Sequence, residues 1–191
     1  MTGFDRPRIE AAVAEILAAI GEDPARPGLV QTPSRVADAY EEFFSGVGRD
    51  ASAELGAPIP LEGDSRDAIL VRDIAFRSVC EHHLLPFLGT VHVAYLPGDA
   101  VLGLGRIPRL VETAAARPQV QERLTDEIAD AVEAGSGARG VLVVIDAAHT
   151  CVTTRGARQT GSTVVTVTGR GVFTEPAARA ELIALIGRGA E

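Results

Sequence analysis

Residues 68–96 read AILVRDIAFRSVCEHHLLPFLGTVHVAYL, and the way this run divides decides how the rest of the chain is read. Its two ends, "AILVRDIAF" and "TVHVAYL", are short and rich in β-branched residues. In the second, Val91, Val93 and Tyr95 alternate with Thr90, His92 and Ala94. A period of two predicts strands. Between them, "SVCEHHLLPF" (78–87) puts one of only two cysteines and two of only four histidines into four consecutive positions.

Beyond this run the period changes. "IPRLVETAAA" predicts a short helix, and in "VQERLTDEIADAV" the residues Val120, Leu124, Ile128 and Val132 recur every four, a stripe that must face apolar partners. "GVLVVIDAAH" and "STVVTVT" predict two more strands, separated by the turn-like "RGARQTG". "EPAARAELIALI" predicts a closing helix with Pro176 early in it. On the other side, "RPRIEAAVAEILAAI" (6–20) carries Ile9, Val13, Ile16 and Ile20 near the helical repeat. "TPSRVADAYEEFF" opens on Thr32 as an expected N-cap with Pro33 at the first helical position. Residues 46–66 have no sustained period and read as a linker. Helices, two strands, two helices, two strands, helix: that order predicts an α+β fold with an antiparallel sheet.

The 191 residues are 46% hydrophobic and 23% charged, a globular composition with enough chain for a core. A formal net charge of −8 argues against general affinity for nucleic acid. No segment approaches the ~18 apolar residues of a membrane span, and the N-terminus lacks a secretory pattern, so a cytoplasmic protein is expected. All 18 basic residues are Arg, so an anionic substrate would be gripped by guanidinium groups. Two cysteines do not make a disulfide framework for a chain of this size.

Their placement points to metal. Cys80 and His83 are three apart, which in a turn brings both side chains to one side. Cys151, in "AHTCVTTRG", follows a predicted strand and supplies a third ligand from across the fold. Two thiolates and an imidazole suit Zn²⁺, and three protein ligands leave a position for water, as catalytic sites do. A fourth ligand from His82 or His149 would instead make a structural site. With Cys80, His83 and Cys151 on the metal, His82 and His149 stand beside it as proton carriers, a combination that reads as hydrolysis. His92, isolated on a strand, reads as a satisfied core histidine. Arg106 and Arg109 share one face near a predicted helix start, a favourable place for phosphate oxygens, or else a solvated face. Glu122 can accept paired N–H donors from a guanine edge, or face water.

Taken together, "GEDPARPGLVQTPSRVADAYEEFFSG", "SVCEHHLLPFLGTVHVAYLP", "RPQVQERLTDEIADAV" and "AHTCVTTRGARQ", in this order and closed by "GVF", resemble the GTP cyclohydrolase I family over roughly residues 9–186. The resemblance implies a T-fold (tunnelling fold): a four-stranded antiparallel sheet with two helices on one face, preceded by an N-terminal helical arm. It divides the chain into arm and linker (1–66) and catalytic domain (67–191). It implies a toroidal homodecamer with active sites between subunits, and conversion of GTP and water into 7,8-dihydroneopterin triphosphate and formate, leading to folate-type pterins. By motif, Cys80, His83 and Cys151 resemble the zinc ligands, and His82 and His149 the acid/base histidines. Gln121 and Glu122 resemble the guanine-reading pair. Arg109, Arg155 and, from a neighbouring subunit, Arg35 resemble the triphosphate clamp, with Arg106 beside them. Gly105-Arg106 stands where the family usually has Ser-Lys, and Pro108 replaces a usual small residue. Those departures touch the ribose and phosphate end. They leave two alternatives open: a paralogue arrested at a formamidopyrimidine or using another purine nucleotide, and a non-enzymatic GTP-binding ring protein with structural zinc.

Overall fold

The computed structural model describes residues 3–62 and 67–187. Residues 63–66 of the expected linker and the last four residues of the chain lie outside the described residues. The order is α1 (Arg6–Ala19), α2 (Thr32–Phe43), a 3-10 turn (Ala51–Leu55), β1 (Ile59–Pro60), β2 (Ile69–Cys80), β3 (Pro86–Leu96) and β4 (Ala100–Val101). Then come α3 (Arg106–Ala115), β5 (Pro118–Gln119), α4 (Gln121–Ser136), β6 (Gly140–His149), α5 (Thr150–Thr153), β7 (Val164–Gly171), a 3-10 turn (Val172–Thr174) and α6 (Pro176–Gly187).

The main sheet runs β5-β2-β3-β6-β7. The four long strands are antiparallel to their neighbours, as expected, and the fifth, two-residue strand β5 lies parallel beside the end of β2. β2 does not alternate cleanly in sequence because its register shifts between Val71 and Ile74, where Asp73 takes φ 58. The bulge exchanges the faces of the strand. Ile69 and Val71 before it and Ile74, Phe76 and Cys80 after it therefore pack into the same core.

Helices α3 and α4 cover that face. Ile107, Leu110 and Val111 of α3, Leu124, Ile128 and Val132 of α4, and Val91, Val93, Tyr95, Val143 and Ile145 of the sheet are all fully buried. Each such Leu, Ile or Val contributes about 1.5–3 kcal/mol. The stripe read from sequence is this face of α4, with Val120 sitting just outside the helix as its N-cap. Gly137, left-handed at φ 60, ends α4 and returns its N–H to the Glu133 carbonyl. The opposite face of the sheet has a smaller cluster, Ala94, Leu142, Val144, Phe173 and Leu182, under α6.

The short elements β1, β4, β5 and α5 carry no periodic signal and are not predicted from sequence, and two features of the N-terminal part differ as well. The segment read as linker contains the 3-10 turn 51–55, whose Ala51 and Leu55 are buried in the main core. Two anchoring residues in a Gly/Pro-rich run carry no periodic signal. Helix α2 begins one residue early: Gln31 is the N-cap, without a side-chain cap bond, and Thr32 is already helical. In α1 no residue is buried, and it is tied to α2 through Arg6, which pairs with Asp38 at 2.6 Å and hydrogen-bonds to Ser34.

Candidate metal centre and active site

The turn between β2 and β3 is built by its own backbone. Cys80 N–H donates to Leu85 O and Leu84 N–H to Cys80 O, both at 2.8 Å, while Leu84 takes the left-handed φ of 52. This tight reversal brings Cys80 Sγ to 3.9 Å from His83 Nδ1. The third donor arrives by strand register. β6 pairs with β3 over ten residues, ending at Phe87 opposite His149, so the chain leaving β6 enters α5 beside the turn. Gly89 permits the close approach, since a Cβ there would lie 2.0 Å from Asp146 O. The donor atoms of Cys80, His83 and Cys151 all lie within 4.8 Å of one another.

That donor set fits a soft divalent cation. Zn–S bonds of about 2.3 Å and Zn–N bonds of about 2.0–2.1 Å place two tetrahedral ligands roughly 3.5 Å apart, so the Cys80–His83 pair needs only a small movement to share an ion. Cys80 is buried, Cys151 half-buried and His83 exposed, so the cluster opens toward solvent on its histidine side. Both cysteines are free. Burial pushes the Cys151 thiol up from its usual value, the facing Cys80 adds to the rise, and Arg155 opposes it.

A cavity of about 180 Å³ adjoins the cluster, lined by Cys80, His82, His83, Gln119, Val120, Gln121, Glu122, His149 and Cys151. Seven residues singled out from sequence thus meet at one place. His82 is well exposed, edge-on to His83 with ring centroids 6.4 Å apart. His149 lies flat against Phe87, at 4.5 Å and 5°, with its Nε2 2.8 Å from Gln121 Oε1. Burial lowers its pKa and the Glu122 carboxylate pulls the other way. Glu122 itself is exposed in the first turn of α4.

Gln121 lines the cavity, as the resemblance implies, and is also tied into the fold. It is buried, and its amide nitrogen donates to Ile145 O, Val164 O and Thr166 Oγ1 at 2.8–3.1 Å while its oxygen meets His149. Those bonds engage both ends of the side-chain amide within the chain. The arginines do not line the cavity. Arg155 is near enough to act on Cys151. Arg106 instead reaches Glu54 O at 3.5 Å and lies over Gly56, Arg109 is exposed on α3, and Arg35 holds Gln31 Oε1 at 2.7 Å on α2. A larger cavity, about 350 Å³, lies between α2, β2 and α3, lined in part by Glu42, Phe43, Phe76, Arg77 and Pro108, and contains none of the site residues.

Sequence reasoning missed the supports behind the site. Gln119, fully buried, donates to Ala114 O and Glu127 and accepts from Arg123, and Arg123 pairs with Glu81 at 2.5 Å in the metal turn. The pairing lowers the Glu81 pKa. Phe87 was within the quoted stretch, but its partners Phe76 and His149 come from other strands. His92, as expected, is buried, and its Nδ1 accepts from Asp73 N–H at 3.2 Å.

With this geometry established, comparison with known proteins assigns the family. The model described as GTP cyclohydrolase I matches residues 9–187. The chain belongs to the GTP cyclohydrolase I family. It is 73% identical to GTP cyclohydrolase 1 of Leifsonia xyli subsp. xyli over the full length of both chains. It is 51% identical to that of Rhodopirellula baltica, covering 97% of this chain and 81% of the relative, and 50% identical to that of Mycobacterium ulcerans, covering 97% and 92%. Among solved structures, the apo form of the archaeosine synthase QueF-Like aligns with a TM-score of 0.48 at 21% identity, over 56% of this chain and 97% of that one. The antiparallel sheet with α3 and α4 on one face is the T-fold arrangement implied by the resemblance to GTP cyclohydrolase I. No helix among the described residues is long and apolar enough to cross a membrane.

Proposed function

We propose that this chain is a zinc-dependent GTP cyclohydrolase I, hydrolysing the guanine imidazole ring of GTP and yielding 7,8-dihydroneopterin triphosphate and formate. The observation that carries the reading is that a Cys-His-Cys cation site, two further histidines and one carboxylate border a single cavity. Cys80, His83 and Cys151 would hold Zn²⁺, which would supply Lewis-acid activation of water. His82 and His149 have no ligand duty and exchange protons with the ring nitrogens and departing groups. The Glu122 carboxylate accepts the paired N–H donors of the pyrimidine edge, a role only an acceptor-only group fills.

The triphosphate is held by Arg109, Arg155 and, from a neighbouring subunit, Arg35, with Arg106 adjacent. At α3 the N-cap is Gly105 and no side chain caps the helix; the Arg106 N–H is taken by Gly103 O at 2.8 Å and Pro108 has no N–H, so the grip on phosphate falls to the guanidinium groups. Assembly into a toroidal homodecamer belongs to the same proposal. It is supported by the size of the cavity, about 180 Å³ in one chain against the ~300–1,000 Å³ that enclose a small molecule. Exposed Ile16 on α1 and Ile20 at its C-cap also support it. A cytoplasmic location suits the two free thiols.

Zinc-loaded protein incubated with GTP should release formate and a pterin that fluoresces after oxidation; neither product would end the proposal. The second reading, arrest at a formamidopyrimidine, is favoured only by Gly105-Arg106, with Arg106 engaged on Glu54. Mass spectrometry separates the two, because an arrested product keeps the formyl group.

A further inference from the structure

The bonds around Gln121 can be assigned atom by atom, because most of its partners have fixed polarity. Ile145 O and Val164 O are carbonyls and only accept, and they lie 3.1 and 2.8 Å from the Gln121 amide nitrogen. Thr166 Oγ1, at 3.1 Å, is the third neighbour. Its proton is used elsewhere: Thr125 Oγ1 donates to Gln121 O at 2.7 Å, so in the 2.7 Å contact between the two hydroxyls Thr166 must be the donor. Thr166 therefore turns a lone pair toward Gln121. Three acceptors surround one end of the amide, which must be the NH₂ end. Turning the amide over would set its oxygen against all three with no proton between them.

The consequence falls on His149. Gln121 Oε1 is an acceptor without a proton, and it lies 2.8 Å from His149 Nε2. The hydrogen bond forms only if Nε2 carries the hydrogen, so in the neutral ring Nδ1 holds the lone pair. Phe87, parallel at 5°, sets the plane of the same ring. We propose that Gln121 is a positioning residue: buried and held by β6 and β7, it fixes the tautomer and orientation of His149 rather than reading the purine. The inference rests on the proposed acid/base role of His149, to which it adds that the nitrogen able to accept a proton is Nδ1. A positioned acid/base group contributes about 10²–10⁴-fold in rate, and loss of its fixed tautomer should forfeit part of that, about 10- to 100-fold.

The test uses full-length protein labelled with ¹⁵N-histidine. Only four histidines contribute, and His149→Gln identifies the signal of interest. Spectra are recorded above roughly pH 7.5, about a unit over the usual histidine range, with zinc and without. The expected result is a protonated, pyrrole-type Nε2 and an unprotonated, pyridine-type Nδ1 for His149. The reverse assignment, or a mixture of tautomers, overturns the proposal. In Gln121→Met, which keeps side-chain volume, the single tautomer should be lost and kcat with GTP should fall by about 10- to 100-fold, with zinc content unchanged and KM within about threefold. A raised KM with kcat intact would mean that Gln121 binds substrate, and the proposal would fall. If Gln121→Met does not fold, the wild-type spectrum still decides. Absence of GTP turnover in the wild type would sink the proposed function while leaving the tautomer measurement readable.

Discussion

Phe87 joins the core to the site, and replacing it with Leu tests both. The ring is fully buried. It meets Phe76 edge-on, centroids 5.8 Å apart at 78°, and stacks on His149 at 4.5 Å and 5°. Leu retains much of the apolar burial but neither ring contact. Each aromatic pair contributes about 0.5–1.5 kcal/mol beyond its area, so Phe87→Leu should destabilise the protein by about 1–3 kcal/mol, with any residual void adding to that. Urea unfolding followed by circular dichroism, at fixed protein and zinc concentration so that mass action does not intrude, would show a lower midpoint with an unchanged slope. A double-mutant cycle with Phe76→Leu isolates one contact and should return a coupling of about 0.5–1.5 kcal/mol. Because the stacked face of His149 is lost as well, turnover should fall while bound zinc stays. A loss under about 0.5 kcal/mol, the range of an inconsequential surface change, or a coupling of zero would refute this reasoning.

Cys151→Ala should abolish zinc binding and activity together, whereas His149→Ala should keep the metal and lose about 10²–10⁴-fold in turnover; atomic absorption and GTP assays separate the two, and equal metal loss would indicate a four-ligand site. The His92 pKa is lowered, mainly by burial and further by Arg72, against the pull of Asp73 and Asp146. Its contribution to stability is therefore present above the unfolded value of about 6.5 and is lost as pH falls through that value toward the lower folded one. Unfolding midpoints between about pH 8 and 5 should flatten over this window in His92→Gln. Gly89→Ala would set a Cβ 2.0 Å from Asp146 O and 2.6 Å from Ala147 Cα. Backbone cannot yield as a side chain does, so a loss of at least about 3 kcal/mol is expected. Gly105→Ser, whose Cβ meets nothing within 4 Å, should leave the melting temperature within the small effect of a surface change, about 0.5 kcal/mol.

The strands of residues 68–96, the α4 stripe and the Cys80–His83 pair were legible because each is a local pattern whose spacing matches a backbone repeat. The β2 bulge at Asp73 was not, since its alternation breaks for reasons set by the partner strand. Nor was the 3-10 turn at 51–55, which Asp50 caps locally but which is anchored by burial of Ala51 and Leu55 against distant core residues. At the site, Glu122, His82 and His149 lie against the cavity that adjoins the metal cluster, while the arginines do not line it in one chain.

Sequence by itself determined which atoms are available: two thiols, four imidazoles, and a turn in which a thiol and an imidazole three residues apart can reach one ion. It also determined the order of elements, through periods of two and of about four. Tertiary structure decided how Cys151, expected as the third donor and 68 positions beyond His83, reaches the pair, through the register of β3 with β6. It likewise decided that Gln121 serves His149, because the two carbonyls and the hydroxyl that orient its amide come from two other strands. Long-range pairing of this kind depends on which distant groups are left to satisfy one another once the core has closed, and no local spacing records it.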